Sequence, residues 1–201
     1  MTEYVYPVAL TGGLTRSEII AKMHARLDEQ RFAHCLRVEE CSRQLAERFG
    51  EDVDVAGLAG LLHDYAKQVP SADFEKVIRT EGFDQDLLQY GRGIWHGMVG
   101  VWFIQKELGV SDPRVLRAIK RHTTGNPNMT ALDMITFTAD FIEPARTLDT
   151  EVAARKAAET SLRTATLIQL QGTLSYLVGK GAIVHPLTLA TYNALIKKEK
   201  N

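Results

Sequence analysis

Two adjacent residues are the first candidates for chemistry: His63 and Asp64, directly behind Leu61 and Leu62. Ala56, Gly57, Ala59 and Gly60 precede them, so neighbouring backbones can approach closely, and Tyr65-Ala66-Lys67 follows. An ionisable doublet at the end of an apolar helix is costly to bury unless something compensates, and a bound cation is the simplest compensation. The chain has six histidines. Four of them, His34, His63, His96 and His122, sit at or near expected helix ends or beside small residues, each on a different helix. Ligands projecting inward from several helices are how a bundle builds a metal site. Asp140, within Thr138-Ala139-Asp140-Phe141-Ile142, is a further carboxylate among apolar neighbours. Pro144 cannot supply the N–H that the Asp140 carbonyl would accept, so the helix is expected to distort there. A lone histidine in an apolar helix is ordinarily a hydrogen-bonded core residue. Two aspartates with apolar flanks, one beside a histidine, tip the balance towards a metal. His24, on a charged helix, and His185, before Pro186, read as structural.

These side chains need helices to hold them, and a helical period runs through most of the chain. Thr15-Arg16-Ser17-Glu18 is a capping-box pattern, followed by Ile19, Ile20, Met23 and Leu27 at helical spacing. The spacing predicts a second helix from Arg31 to Phe49, with Phe32, Leu36, Leu45 and Phe49 inward and Gly50 ending it. Asp54 is expected to cap a third, which carries His63-Asp64 and stops before Pro70. Ser71 should cap a short amphipathic helix (Phe74, Val77, Ile78) closed by Gly82. Gly91-Arg92-Gly93 reads as a loop, and Trp95-His96 opens a helix that runs to Gly109. Asp112-Pro113 starts another that ends near His122, and Thr123 to Asn128 is loop-like. Thr130 to Asp133 restarts a helix carrying Ile135, Phe137, Phe141 and Ile142 as far as Pro144. One long helix is expected from Glu151 to Val178, with apolar positions enough for a homodimer contact as well as its own core. Gly179-Lys180-Gly181 breaks it, and Pro186 starts the last helix. No period-two strands, internal repeats or low-complexity segments stand out. The expectation is an all-α fold: one helical-bundle domain over residues 15–198 with the metal site inside, behind an irregular lead-in of residues 1–14.

The totals agree with an ordinary globular protein. The chain has 201 residues, 45% hydrophobic and 24% charged, and a formal net charge of −1. No global field draws in DNA, RNA or an anionic membrane, so an anionic ligand must be held by local arginines and lysines. The start, Met1-Thr2-Glu3-Tyr4-Val5-Tyr6-Pro7, lacks the pattern of a signal peptide, and no run approaches the roughly 18 apolar residues of a membrane span. A cytoplasmic location is expected. Cys35 and Cys41 are about 600° apart on one helix, so they face different sides and read as core fillers.

The order His34, His63-Asp64, His96, His122, Asp140 resembles the HD superfamily of metal-dependent phosphohydrolases. The surrounding motifs are Arg31 ahead of His34, Leu62-His63-Asp64 with Lys67, Trp95-His96-Gly97, His122-Thr123-Thr124-Gly125, and Ala139-Asp140-Phe141-Ile142-Glu143-Pro144-Ala145-Arg146. Together they are similar to the YqeK-type bacterial family, symmetrical bis(5′-nucleosyl)-tetraphosphate hydrolases that cut diadenosine tetraphosphate into two ADP. The resemblance implies iron held by His34, His63, Asp64 and Asp140. Two imidazoles and two carboxylates suit Fe, Mn or a similar divalent ion. Four protein ligands on an octahedral ion leave room for a water and a phosphoryl oxygen, so that the ion activates the nucleophile and polarises phosphorus.

Arg31, Lys67 and Arg146 are then the expected phosphate contacts: Arg31 shares a face with His34, and Lys67 one with His63 and Asp64. His96 and His122 have two readings. They hold a second ion, or they donate hydrogen bonds to phosphate while one protonates the leaving ADP; the four-ligand set favours the latter. Thr123 offers its hydroxyl or N–H to a phosphate oxygen, and Asp64 or Asp140 orients the water. Other readings remain: an HD phosphohydrolase of a nucleoside monophosphate, deoxynucleoside triphosphate or alarmone, a dinuclear-iron oxygenase, or a non-catalytic nucleotide sensor.

Overall fold

A computed structural model describes residues 4–199; residues 1–3 of the lead-in lie outside the described residues. Helices form wherever the apolar period and a cap coincide. Helix α1 (Arg16–Arg26) starts on the Thr15 capping box, and α2 (Glu29–Phe49) on Asp28, whose side chain accepts the Arg31 N–H at 2.7 Å. Gly50 ends α2 in the left-handed region, φ 72°. His34, Cys35, Val38, Cys41 and Leu45 form the buried stripe of α2. Helix α3 (Val53–Leu62) is apolar on all sides and accordingly buried, between α2, α7 (Pro113–Arg121) and α8 (Ala131–Ile142). Close approach of α2 and α3 requires Gly60, where a Cβ would lie 2.4 Å from Ser42 Oγ and 2.8 Å from the Val38 carbonyl.

Around this centre run α4 (Ser71–Thr80), a 3₁₀ turn (Gln85–Gln89), α5 (Arg92–Met98) and α6 (Gly100–Leu108). Helices α9 (Asp149–Ala157), α10 (Leu162–Gly179) and α11 (Pro186–Glu199) build outward from α8. There is no strand among the described residues, and no helix is long and apolar enough to cross a membrane. Residues 4–14 carry turns; the Tyr6 hydroxyl donates to the buried Glu39 of α2 at 2.6 Å, and Gly12 packs against Gly109.

Several expected boundaries move, each for a local reason. The cap of α3 is Asp52, not Asp54: Asp52 Oδ1 accepts the N–H groups of Asp54 and Val55, while Asp54 pairs with Arg43 at 3.0 Å. Helix α3 does not run on to Pro70 but stops at Leu62, because His63 Nδ1 takes the Gly60 carbonyl (2.7 Å) that the next helical N–H would need. From there to Val69 the chain proceeds in tight turns. Ser71 is the first residue of α4 rather than its cap, which is Pro70. The expected loop at Gly91-Arg92-Gly93 is instead the start of α5, since the Gly91 carbonyl accepts from both Ile94 and Trp95, and Val99 separates α5 from α6. The long helix over 151–178 is two helices, because Ser161 recaps the chain by accepting the Thr164 N–H.

Cys35 and Cys41 are both free and buried on α2. Burial pushes the Cys41 thiol up to about 12 and Cys35 well above the usual range. With a pKa of 12, only about one Cys41 in ten thousand is thiolate at pH 8, and the thiolate is the reactive form. Both thiols are expected to resist Ellman's reagent in the folded protein and to react completely in guanidinium; rapid native reaction of either contradicts this packing.

Candidate metal centre

Four imidazoles converge on the junction of α2, α3, α5 and α7. His34 is in the second turn of α2, His63 ends α3, His96 lies within α5, and His122 ends α7. Each ring has its Nδ1 engaged from outside the cluster: His34 with Glu143 Oε1 (3.2 Å), His63 with the Gly60 carbonyl (2.7 Å), His96 with the Arg92 carbonyl (2.7 Å), and His122 with the Ile119 carbonyl (2.6 Å). Donation from Nδ1 fixes the tautomer and leaves the Nε2 lone pair facing inward. Those lone pairs meet in pairs, His34 with His63 at 3.3 Å and His96 with His122 at 3.0 Å.

The carboxylates lie among them. Asp64 is 1% exposed and faces both pairs. Its Oδ2 is 3.4 Å from His63 Nε2 and 3.9 Å from His34 Nε2; its Oδ1 is 3.1 Å from His96 Nε2 and 3.9 Å from His122 Nε2. Asp140 Oδ1 is 3.0 Å from His34 Nε2 and 3.7 Å from His63 Nε2, and its side chain is 24% exposed. Candidate ligand atoms lie within 4.8 Å of one another in three overlapping sets: His34, His63 and Asp64; His63, His122 and Asp140; Asp64, His96 and His122.

Lone pairs and carboxylate oxygens aimed at each other repel unless a cation sits between them. Two features point to that demand. Asp64 Oδ1 is buried without a hydrogen-bond partner. Burial opposes a charged His63, yet Asp64 and Asp140 outweigh it and lift the imidazole to about 10. Burial alone would raise Asp64 and Asp140, but His63 beside Asp64, and His34 and His63 beside Asp140, hold both carboxyls well below the usual range. His122 is pushed well down by burial and by His96, so it stays neutral. A nitrogen-and-oxygen donor set of this kind fits a divalent metal.

A cleft of about 280 Å³ opens beside the cluster, lined by Arg31, His34, Arg37, Lys67, Glu143 and Arg146 among others. Arg31 Nη1 donates to Asp64 Oδ2 at 2.7 Å. Lys67 Nζ is 3.4 Å from Asp64 Oδ1 and 3.0 Å from His96 Nε2. Arg146 donates from Nη2 to Asp140 Oδ1 and from Nε to the Asp140 carbonyl, both at 3.2 Å. That carbonyl is the one Pro144 cannot serve, and α8 ends at Ile142 instead of bending. Thr123 is not opened to the cleft: its hydroxyl is enclosed, unpartnered and next to Gly97. His24 pairs with Glu29 on the surface, and His185 Nδ1 accepts the Leu187 N–H.

Sequence reasoning passed over Arg37, Glu143 and the packing role of Gly97. Helical spacing carried a signal for the first two, since Arg37 is one turn beyond His34 and Glu143 three residues beyond Asp140. A Cβ on Gly97 would lie 3.0 Å from Thr123 Oγ1 and 3.2 Å from His122 Cε1, which no sequence pattern reveals.

The HD domain family profile matches residues 31–145. The symmetrical bis(5′-nucleosyl)-tetraphosphatase of Bacillus subtilis is 38% identical over 91% of this chain and 98% of its own length. The protein of the same name from Halalkalibacterium halodurans is 37% identical over 93% of this chain and 100% of its own. A crystal structure of a predicted HD superfamily hydrolase involved in NAD metabolism, from Clostridium acetobutylicum, superposes with a TM-score of 0.88 at 33% identity, covering 92% of this chain and 98% of that one.

Replacing Gly97 with alanine should displace Thr123 and the His122 ring by a few tenths of an ångström. The expected result is displaced His122 ring-proton resonances in the NMR spectrum, with little change in unfolding temperature. Unmoved resonances mean that the ring's position does not depend on this contact.

Proposed function

Because the chain belongs to the HD domain family, in the group that includes the symmetrical bis(5′-nucleosyl)-tetraphosphatases, we propose that it hydrolyses diadenosine tetraphosphate at the central anhydride to give two ADP. The observation that carries this reading is the convergence of His34, His63, Asp64 and Asp140 beside a cleft walled by Arg31, Lys67 and Arg146. These four side chains are the proposed ligands of one divalent ion, iron in preference, with Mn or another divalent metal as a substitute. Such an ion supplies Lewis acidity at the phosphoryl group and lowers the pKa of water.

The protein's own groups then have distinct tasks. Asp64 is buried, so it serves the ion; Asp140, whose side chain is 24% exposed, also accepts a hydrogen bond from the attacking water, orienting it. Water adds to one central phosphorus and its proton passes by way of the Asp140 carboxylate to solvent, while the bond to the bridging oxygen breaks and the departing ADP leaves as the anion with the electron pair. Arg31, Lys67 and Arg146 neutralise the charge that builds on the phosphates. Since His122 is held neutral with its Nδ1–H committed to Ile119, it acts through its Nε2 lone pair and is not the proton source for ADP. His96 Nε2 stands 3.0 Å from both Lys67 Nζ and His122 Nε2, and its task is to hold the Lys67 ammonium in place for the phosphates. Thr123 supports the His122 end from behind rather than touching substrate.

A second ion at Asp64, His96 and His122 is the competing arrangement, favoured by the 3.0 Å approach of two Nε2 atoms. Against it, the Lys67 ammonium already stands 3.0 Å from His96. The domain is taken as residues 15–198 with 1–14 as its lead-in, working in the cytoplasm without DNA, RNA or membrane. A homodimer is compatible with the exposed Val152 and Tyr176 on α9 and α10.

Purified, metal-loaded protein should convert diadenosine tetraphosphate to ADP alone, as separated by chromatography. AMP with ATP would mean attack at an outer anhydride, and no turnover removes the proposal. Elemental analysis should find one iron per chain, and two would restore the second site. His63→Ala and Asp64→Ala are each expected to lose the bound ion and at least about a thousandfold in kcat/KM; retained activity would show that the ligand set is misassigned.

A further inference from the structure

Glu143 and Arg37 have no task in the scheme above, yet both line the cleft. Glu143 is 2% exposed and stands at the C-terminal end of α8. Its Oε1 lies 3.2 Å from His34 Nδ1 and 3.2 Å from Arg37 Nη2. Its Oε2 accepts from Arg37 Nε at 2.6 Å and from the Ala145 N–H at 2.7 Å. Its backbone carbonyl is held by Arg155 Nη2 at 2.8 Å and by the Arg146 N–H at 2.9 Å, so the main chain under the carboxylate is pinned too.

Arg37 is one turn beyond His34 on α2, and the fork it makes with Glu143 uses Nε and Nη2. Its Nη1 makes no hydrogen bond among the described residues, and the side chain is 36% exposed. Bidentate pairing fixes a guanidinium plane in a way that a flexible lysine does not match.

We propose that Glu143 is the positioning residue of this site: it sets the ring of His34 by accepting its Nδ1 proton, and it holds Arg37 at the cleft as a fourth cation that favours a tetraphosphate chain over a diphosphate. The role of Glu143 at His34 is independent of substrate, whereas that of Arg37 rests on the function proposed above. A ligand histidine whose outer nitrogen meets a carboxylate is oriented and made more basic. A dinucleoside tetraphosphate carries an ionised oxygen on each of its four phosphates. Arg31, Lys67 and Arg146 match three of these charges, and Arg37 completes the set. A purely structural tie between α2 and the end of α8 would need the same contacts, so the test must separate stability from ligand and substrate readouts.

Four proteins are compared: wild type, Glu143→Gln, Arg37→Gln and Arg37→Lys. The Mn²⁺ dissociation constant is read from the electron paramagnetic resonance of the free ion. ADP and diadenosine tetraphosphate affinities are read by calorimetry, and kcat and KM by product formation. Glu143→Gln should weaken Mn²⁺ binding between about tenfold and a hundredfold. Arg37→Gln should leave Mn²⁺ affinity as in the wild type. It should weaken tetraphosphate binding and raise KM about tenfold, with kcat and ADP affinity moving far less, and Arg37→Lys should recover part of the loss. If folded Glu143→Gln binds Mn²⁺ like the wild type, or if Arg37→Gln leaves tetraphosphate affinity unchanged, the proposal is overturned. Should Glu143→Gln not fold, Glu143→Asp replaces it, with the same criterion applied to Mn²⁺. A wild type that binds the tetraphosphate but does not cleave it refutes the proposed reaction, while the Mn²⁺ and calorimetric arms still decide the roles of Glu143 and Arg37.

Discussion

A buried carboxylate facing four inward imidazole nitrogens is the constraint from which the rest of this structure follows. Asp64 sits between the His34–His63 pair and the His96–His122 pair, with one oxygen towards each. An isolated charge in such a place is prohibitive. The surroundings counter this with positive charge from two directions: the guanidinium of Arg31 and the ammonium of Lys67 on the cleft side, and the space between ligand atoms where a divalent ion fits. The repulsion is local and strong, so the cluster holds its shape only because each imidazole is anchored at its far nitrogen.

Those anchors explain features of the fold that otherwise look arbitrary. His63 can bond the Gly60 carbonyl only if α3 ends there, so the same hydrogen bond that aims the ring also terminates the helix. Gly60 serves twice, lending its carbonyl and lacking the Cβ that would collide with Ser42. The loss of a helical N–H at Pro144 frees the Asp140 carbonyl for Arg146, which ties a cleft cation to the backbone of a carboxylate residue. In each case a backbone irregularity is used to position a side chain, and the regular helices around it supply the rigidity.

The cleft also shows how a chain with a net charge of −1 can present a strongly cationic surface locally. Four basic side chains line one side of it, each paired with a carboxylate or imidazole that limits its motion. Pre-set cations need little reorganisation when a polyanion arrives or when charge shifts during phosphoryl transfer. Burial of Glu143 beneath this surface links its two walls, α2 and the end of α8.

Much of this was legible in residue order. Helical periods, the caps at Thr15, Asp112 and Thr130, and the stop at Gly50 are short-range signals, and they located most elements correctly. The side chains that converge, His34, His63, Asp64, His96, His122 and Asp140, were recognisable because ionisable groups among apolar neighbours need partners. Less legible were the ends of α3, the break at Ser161 and the early start of α5, where hydrogen bonds compete for the same carbonyl or side chains recap the chain. The sequence by itself determined an all-helical chain and the chemical types that gather at its centre, since both depend on composition and periodicity. Only the tertiary structure decided which oxygen of Asp64 faces which ring, that Thr123 is enclosed, and that Glu143 joins His34 to Arg37. Those outcomes depend on distances between segments far apart in the chain, up to the 109 residues that separate His34 from Glu143.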